Sequence, residues 1–172
     1  MELQVLPLTA TAFAPYGEVI GVPAASGPGA DGAGGLHVRA INGGTSQRQD
    51  MRGSLQLHAQ GGEPCVAIFR AQAQALAGPW RLLERHRLGT QTFIPLAGAR
   101  CVVLVALGET APNLATLAAF AVDGAQGFTL HAGTWHHGLI ALDAGDFVVI
   151  ERRAAGVDCE FAELAVPVTL RP

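Results

Sequence analysis

The chain contains no lysine: all 11 basic residues are arginine. Schiff-base chemistry through a lysine is thereby excluded. An arginine-only set suits planar, two-pronged recognition of carboxylates, although codon bias is the simpler source of the absence and assigns no substrate. Charge is scarce altogether, with 15% charged against 49% hydrophobic residues and a net charge of −3. That balance excludes a largely disordered chain and removes any electrostatic reason to expect nucleic acid or an anionic membrane as a partner. Cysteine is sparse too: Cys65, Cys101 and Cys159 form no C-x-x-C pair. Neither a disulfide framework nor a thiolate zinc site is suggested, and a reducing cytoplasm is the expected compartment. Long hydrophobic runs are missing, since the longest clean one, Cys101 to Leu107, is far too short to span a bilayer. The N-terminus, Met1-Glu-Leu-Gln-Val5, lacks the basic and apolar regions of an export signal.

What is present is a series of short segments of strand-like composition separated by turn residues. A strand at Leu3 to Pro7 leads to one helical turn at Thr9 to Phe13, stopped by Pro15-Tyr-Gly17, and then to a brief strand at Glu18 to Ile20. Ser26 to Gly35 is so rich in glycine that a mobile loop is expected. Its Gly27-x-Gly29-x-x-Gly32 string mimics a dinucleotide fingerprint, but no long buried strand precedes it and no amphipathic helix follows, so no nucleotide cofactor is expected. Further strands are predicted at Leu36 to Ile41, Leu55 to His58, Cys65 to Ala71, Trp80 to Arg85, Thr90 to Pro95 and Cys101 to Leu107. The series continues with Leu117 to Val122, Phe128 to Leu130, His136 to Leu142, Phe147 to Glu151 and Cys159 to Leu164. Asn113 is placed to cap a second helical turn. Many short strands at this spacing predict an all-β sandwich or barrel, and at 172 residues a single domain over 1–172 is expected.

Four of the six histidines cluster in Glu84-Arg-His86 and in His131-Ala-Gly-Thr-Trp-His136-His137. Residues two apart on a strand share a face, so Glu84 and His86 are expected to point together, while His136 and His137 point to opposite faces. Counting along the chain gives Gly78, five residues, Glu84, one residue, His86, four residues, Gln91, six residues, Gly98. That spacing resembles the first motif of the cupin superfamily, with Glu84 and Gln91 standing where the family has His and Glu. His131-x-Gly133-x-x-His136 is similar to the second motif, with His131 in its Pro position. The resemblance implies a cupin-like β-barrel or jelly roll in which Glu84, His86, Gln91 and His136 face a common interior. Such a set is credible for a divalent metal, Ni²⁺, Mn²⁺, Fe²⁺ or Zn²⁺. The bland alternative is a group of side chains that hydrogen-bond one another inside a polar barrel mouth.

A more specific resemblance runs through Glu84-Arg-His-Arg-Leu-Gly-Thr-Gln-Thr-Phe-Ile-Pro-Leu96. It is similar to the E-R-H-x-L-G-[ST]-Q-x-F-I-P signature of the ureidoglycolate lyase family. Val102 to Leu107, Pro112 to Phe120, Gly127, Gly133 to His137 and the N-terminal Leu8 to Glu18 share that likeness, so coverage is nearly end to end. One region departs: where the family has arginine followed by an aromatic–His–Asp triplet, this chain reads Arg48-Gln-Asp50-Met51.

The resemblance implies a carbon–nitrogen lyase that cleaves ureidoglycolate to glyoxylate and urea in allantoin and purine breakdown, as a homodimer. Breaking this carbinolamine requires a base and an acid at one carbon, and His86 and His136 are the natural proton carriers. Glu84 is an alternative base or orients His86, and Gln91 is expected to donate an amide N–H to the substrate. Arg48, beside Asn42, is the first choice for the substrate carboxylate, with His131 at the pocket mouth. Arg85 is expected to alternate away from the site, Trp135 to pack in the core and Cys101 to be a buried, inert thiol. Other readings of the same residues are a metal-dependent isomerase or oxygenase and a non-enzymatic module that binds a small acid.

Overall fold

The computed structural model describes residues 1–21, 38–51, 53 and 55–172, which group into two compact units, Gly21–Ser54 and Met1–Ile20 with Leu55–Pro172. The glycine-rich segment, His37 and the first part of the strand expected at Leu36 lie outside the described residues.

In the larger unit the elements are β1 (Glu2–Pro7), α1 (Ala10–Phe13) and β2 (Gly17–Ile20). The smaller unit holds an antiparallel pair, β3 (Val38–Ile41) with β4 (Ser46–Gln49). The larger resumes with β5 (Glu63–Ala71), β6 (Trp80–Arg85), β7 (Gln91–Pro95), β8 (Cys101–Ala106) and β9 (Ala118–Val122). It ends with β10 (Gly127–Leu130), β11 (Trp135–His136), β12 (Ile140–Ala141), β13 (Gly145–Arg153) and β14 (Glu160–Arg171). These strands form a seven-stranded sheet in the order β11-β6-β14-β1-β9-β8-β12 and a five-stranded sheet in the order β2-β10-β7-β13-β5. A further pairing of β11 with β8 closes six strands of the first sheet into a barrel. The expectation of an all-β barrel is met.

Strand β8 explains how the core is shared. Every residue from Cys101 to Ala106 is buried, and alternate side chains enter two different clusters. Val102, Leu104 and Ala106 join Trp80, Leu83, Trp135 and Val168 inside the six-stranded ring, whereas Cys101, Val103 and Val105 meet Phe93, Phe128, Phe147 and Val149 of the second sheet. A strand covered on both faces reads as an unbroken apolar run, which is why its sequence lacks alternation. Burial also pushes the Cys101 thiol up to about 12, so it is inert as expected.

The helical turn forms because Thr9 Oγ1 accepts from the Ala12 amide at 3.3 Å. It delivers Phe13, fully buried, edge-on to Phe120 and Phe128 with centroids 5.4 and 5.9 Å away. Gly17, next in line, leaves no room for a side chain: a Cβ there would lie 2.0 Å from the Thr129 carbonyl oxygen. Asn113 caps the second turn by accepting from the Ala115 amide at 3.1 Å.

Four segments differ from expectation. Leu55 to His58 forms no strand, because Gln56 spends its backbone groups on Thr90, through its side chain at 3.1 Å and its amide at 3.1 Å. The strand expected over His136 to Leu142 is broken into β11 and β12 by a bulge at His137 to Leu139, with His137 N still bonded to Leu104 O at 2.9 Å. β14 runs on to Arg171 past Pro167, tolerated because the β6–β14 register slips between Glu163 and Val168. β4 was hidden by its wholly polar sequence, Ser-Gln-Arg-Gln.

Candidate active site

Strand β6 ends at Arg85 and His86 follows at once, while His136 closes β11 and pairs with Glu84 on one side and Val105 on the other. Trp135 turns into the six-stranded ring, so its neighbour His136 must face the opposite way, toward the space between the sheets. Arg85, out of phase with Glu84 and His86, also points into the ring, where its guanidinium carbon lies 4.2 Å from the Trp135 ring centroid. It is bound by Glu160 and by the carbonyls of Gly108 and Glu109, a structural anchor as its alternation demanded.

Both site histidines are held by backbone carbonyls. His136 Nδ1 lies 2.9 Å from Thr134 O, and His86 Nδ1 lies 2.5 Å from Asp158 O. A carbonyl only accepts, so each ring keeps its proton on Nδ1 and presents Nε2 as a lone pair. Both Nε2 atoms are buried and have no hydrogen-bond partner among the described residues. They face a carboxylate: Glu84 Oε1 is 3.7 Å from His136 Nε2, and the two imidazole centroids are 5.5 Å apart. One ligand atom from each of Glu84, His86 and His136 lies within 4.8 Å of the others. Two lone pairs and a carboxylate converging in a buried place are mutually unfavourable unless a cation or a proton lies between them. Backbone-anchored histidines of this kind fit a divalent metal such as Ni²⁺, Mn²⁺, Fe²⁺ or Zn²⁺. Burial pushes the His136 imidazole down to about 4, against the Thr134 hydrogen bond and with smaller help from His86 and His137. At neutral pH that ring is uncharged, a lone-pair donor rather than a proton donor.

Gln91 and Glu151 continue the site along the five-stranded sheet. They sit two residues from Phe93 and Val149, which pack between the sheets, and so share that face. Gln91 Nε2 donates to Glu151 Oε2 at 2.8 Å, so its N–H faces a carboxylate where the sequence reading had it facing substrate. A cavity of about 290 Å³ opens beside the cluster and is lined by His86, Cys65, Glu151, Asp158 and Cys159 among others.

Glu151, Asp158 and Cys159, beside the predicted residues, carry no motif in the sequence. Cys159 donates its thiol to Glu84 Oε2 at 3.5 Å. Burial, with Glu84 adding, raises that thiol to about 11, so it remains protonated. Asp158 holds His86 by its carbonyl and the amides of Arg87 and Leu88 by its carboxylate. Only the pairing of β14 with β6, which sets Phe161 opposite Glu84, brings this segment to the site, and no motif carried that signal.

Of the remaining predicted residues, His131 shares the larger unit with this cluster but not its cavity. His131 lines a separate, open depression with Arg85, Arg87 and Glu109. Asn42 and Arg48 belong to the Gly21–Ser54 unit, where Asn42 Nδ2 reaches Ser46 Oγ at 3.5 Å and Arg48 pairs with Asp50 at 2.6 Å.

Comparison with known proteins bears on this geometry. The family described as ureidoglycolate lyase matches residues 1–171. Curated proteins named ureidoglycolate lyase are similar over most of the chain. The one from Burkholderia cepacia is 39% identical over 92% of this chain and 84% of its own. That from Azotobacter vinelandii is 36% identical over 92% and 89%, and that from Escherichia coli 40% over 88% and 88%. Among solved structures, RmlC from Streptococcus suis in complex with dTDP-D-xylose matches at TM-score 0.39 and 12% identity, over 71% of this chain and 63% of that one. A dTDP sugar isomerase from Desulfovibrio desulfuricans G20 matches at TM-score 0.40 and 20% identity, over 76% and 83%. At such scores the superpositions are partial, and nothing about the chemistry of this chain follows from them.

Proposed function

The chain belongs to the ureidoglycolate lyase family, and from that membership we propose that Glu84, His86 and His136 form the centre at which ureidoglycolate is split into glyoxylate and urea. The observation that carries this placement is the pair of carbonyl-anchored histidines whose unpartnered Nε2 atoms meet one carboxylate beside a cavity.

The reacting carbon bears a hydroxyl, a carboxylate and a urea nitrogen. As its carbonyl forms, the hydroxyl proton must leave and the departing nitrogen must gain one. Glu84 is the group suited to both transfers: its carboxylate is partly exposed while His136 is sealed in, and Oε2 takes the hydroxyl proton and returns it to the nitrogen. His86 and His136 are fixed by backbone carbonyls with Nε2 toward the centre, and Cys159 steadies the Glu84 carboxylate. The same three residues would hold a divalent metal, which when bound acts as a Lewis acid on the substrate oxygens. Arg48, with Asn42, and His131 remain the candidates for steering the substrate carboxylate.

The same reading takes residues 1–172 as one cupin-like domain of a cytoplasmic homodimer in the allantoin branch of purine breakdown. All three cysteines are free, in keeping with a reducing compartment, and no helix among the described residues is long and apolar enough to cross a membrane. The test is to incubate freshly made ureidoglycolate with the protein and follow glyoxylate and urea together. Equal release of both supports the assignment. Ammonia and carbon dioxide in place of urea would mark a hydrolytic route and overturn it.

A further inference from the structure

Gln91 is 5% exposed, yet the two ends of its amide are unequally served. Nε2 is bound to Glu151 Oε2, whereas Oε1 is buried and has no partner among the described residues. The flipped amide would set its carbonyl oxygen against a carboxylate oxygen, so Glu151 decides which end of Gln91 is left over. What it leaves over is an acceptor. Glu151 itself lines the cavity shared with His86, and among the described residues its carboxylate is bonded only through Oε2. Two oxygens without donors therefore lie on the face that carries the site.

We propose that Glu151 and Gln91 form the ureido subsite, an acceptor couple that binds the N–H groups of the substrate's urea moiety. This rests on the lyase reading. Of the two halves of ureidoglycolate, only the ureido half offers several N–H donors. The glyoxylate half presents mainly acceptor oxygens, which a carboxylate and an unpartnered amide oxygen repel. The couple thus orients the substrate as well as holding it, turning the carboxylate and the reacting hydroxyl away from Glu151.

The two products serve as separate probes of the two halves. Glu151→Gln frees the amide at position 91 to flip and removes the charged acceptor. It should raise KM for ureidoglycolate about tenfold or more and weaken product inhibition by urea by a similar factor, leaving inhibition by glyoxylate unchanged. Gln91→Met, which removes the acceptor oxygen at similar size, should act in the same direction. Urea inhibition that survives both substitutions, or urea and glyoxylate inhibition that weaken together, would overturn the subsite. On the unaltered enzyme, urea should inhibit and tetramethylurea, which has no N–H, should not. Equal inhibition by the two overturns the proposal without any variant needing to fold. If the unaltered protein releases no glyoxylate and urea at all, the lyase reading fails instead.

Discussion

The Cys159 thiol donates a hydrogen bond to Glu84 Oε2 across 3.5 Å, joining residues 75 positions apart in the chain. Because burial and the Glu84 charge keep the thiol protonated, the contact works as a neutral donor steadying a carboxylate, and the sulfur is no nucleophile. Cys159→Ser preserves a donor and should keep most of the turnover, whereas Cys159→Ala should lower kcat by about tenfold, the worth of one hydrogen bond to a charged group. Steady-state kinetics on the two purified variants checks this, and equal rates would remove Cys159 from the site.

His86→Ala and His136→Ala should each reduce glyoxylate release by about tenfold or more, because each removes an anchored Nε2 from the group around Glu84. Circular dichroism of both variants distinguishes loss of chemistry from loss of fold. Near-native turnover in both would leave the proposed centre without a function.

Metal content offers a separate readout. If Glu84, His86 and His136 hold a divalent cation, protein exchanged against a chelator should take up about one equivalent of Ni²⁺, Mn²⁺, Fe²⁺ or Zn²⁺, and His136→Ala should not. Elemental analysis after desalting measures this directly. Uptake that the substitution leaves unaltered would place the metal elsewhere.

The Arg85–Glu160 pair makes a pH prediction. Hydrogen bonds from Arg85 hold the Glu160 carboxyl below its ordinary value, with Arg87 contributing. A carboxyl whose folded pKa is depressed adds stability above its unfolded value and loses it as pH falls through the folded one. Between about pH 5 and pH 3 the unaltered protein should therefore lose more Tm than Glu160→Gln does, while the variant starts lower at pH 7. Parallel curves in differential scanning calorimetry would refute the linkage.

Phe13 tests the core. It is fully buried among Phe120, Phe128 and Tyr16, so Phe13→Ala should cost about 3–5 kcal/mol in urea unfolding. A loss under about 1 kcal/mol would mean that the neighbouring rings collapse into the space.

Much of the barrel was legible because its strands carry strong local signals. Trp80 to Arg85 is found at its expected bounds, Thr9 caps the turn that precedes Tyr16-Gly17, and β8 follows its apolar run. Alternation sufficed to place Arg85 and Glu84 on opposite faces. It failed where structure depends on a partner strand: the β11–β12 bulge answers to β8, and the reach of β14 past Pro167 answers to a register slip against β6. The polar strand β4 had no hydrophobic pattern to betray it.

The sequence by itself determined the all-β class and the family and singled out Glu84, His86, Gln91 and His136 as a set, because motif spacing and strand alternation are local properties of the chain. Only the tertiary structure decided that both histidines present Nε2, that burial keeps His136 uncharged, that Gln91 gives its N–H to Glu151 and leaves its oxygen without a partner, and that Cys159, Asp158 and Glu151 come to lie beside them. Each of those outcomes depends on a carbonyl, a carboxylate or a low-dielectric wall supplied by a strand distant in the chain, and chain order does not encode such proximity until the sheets have closed.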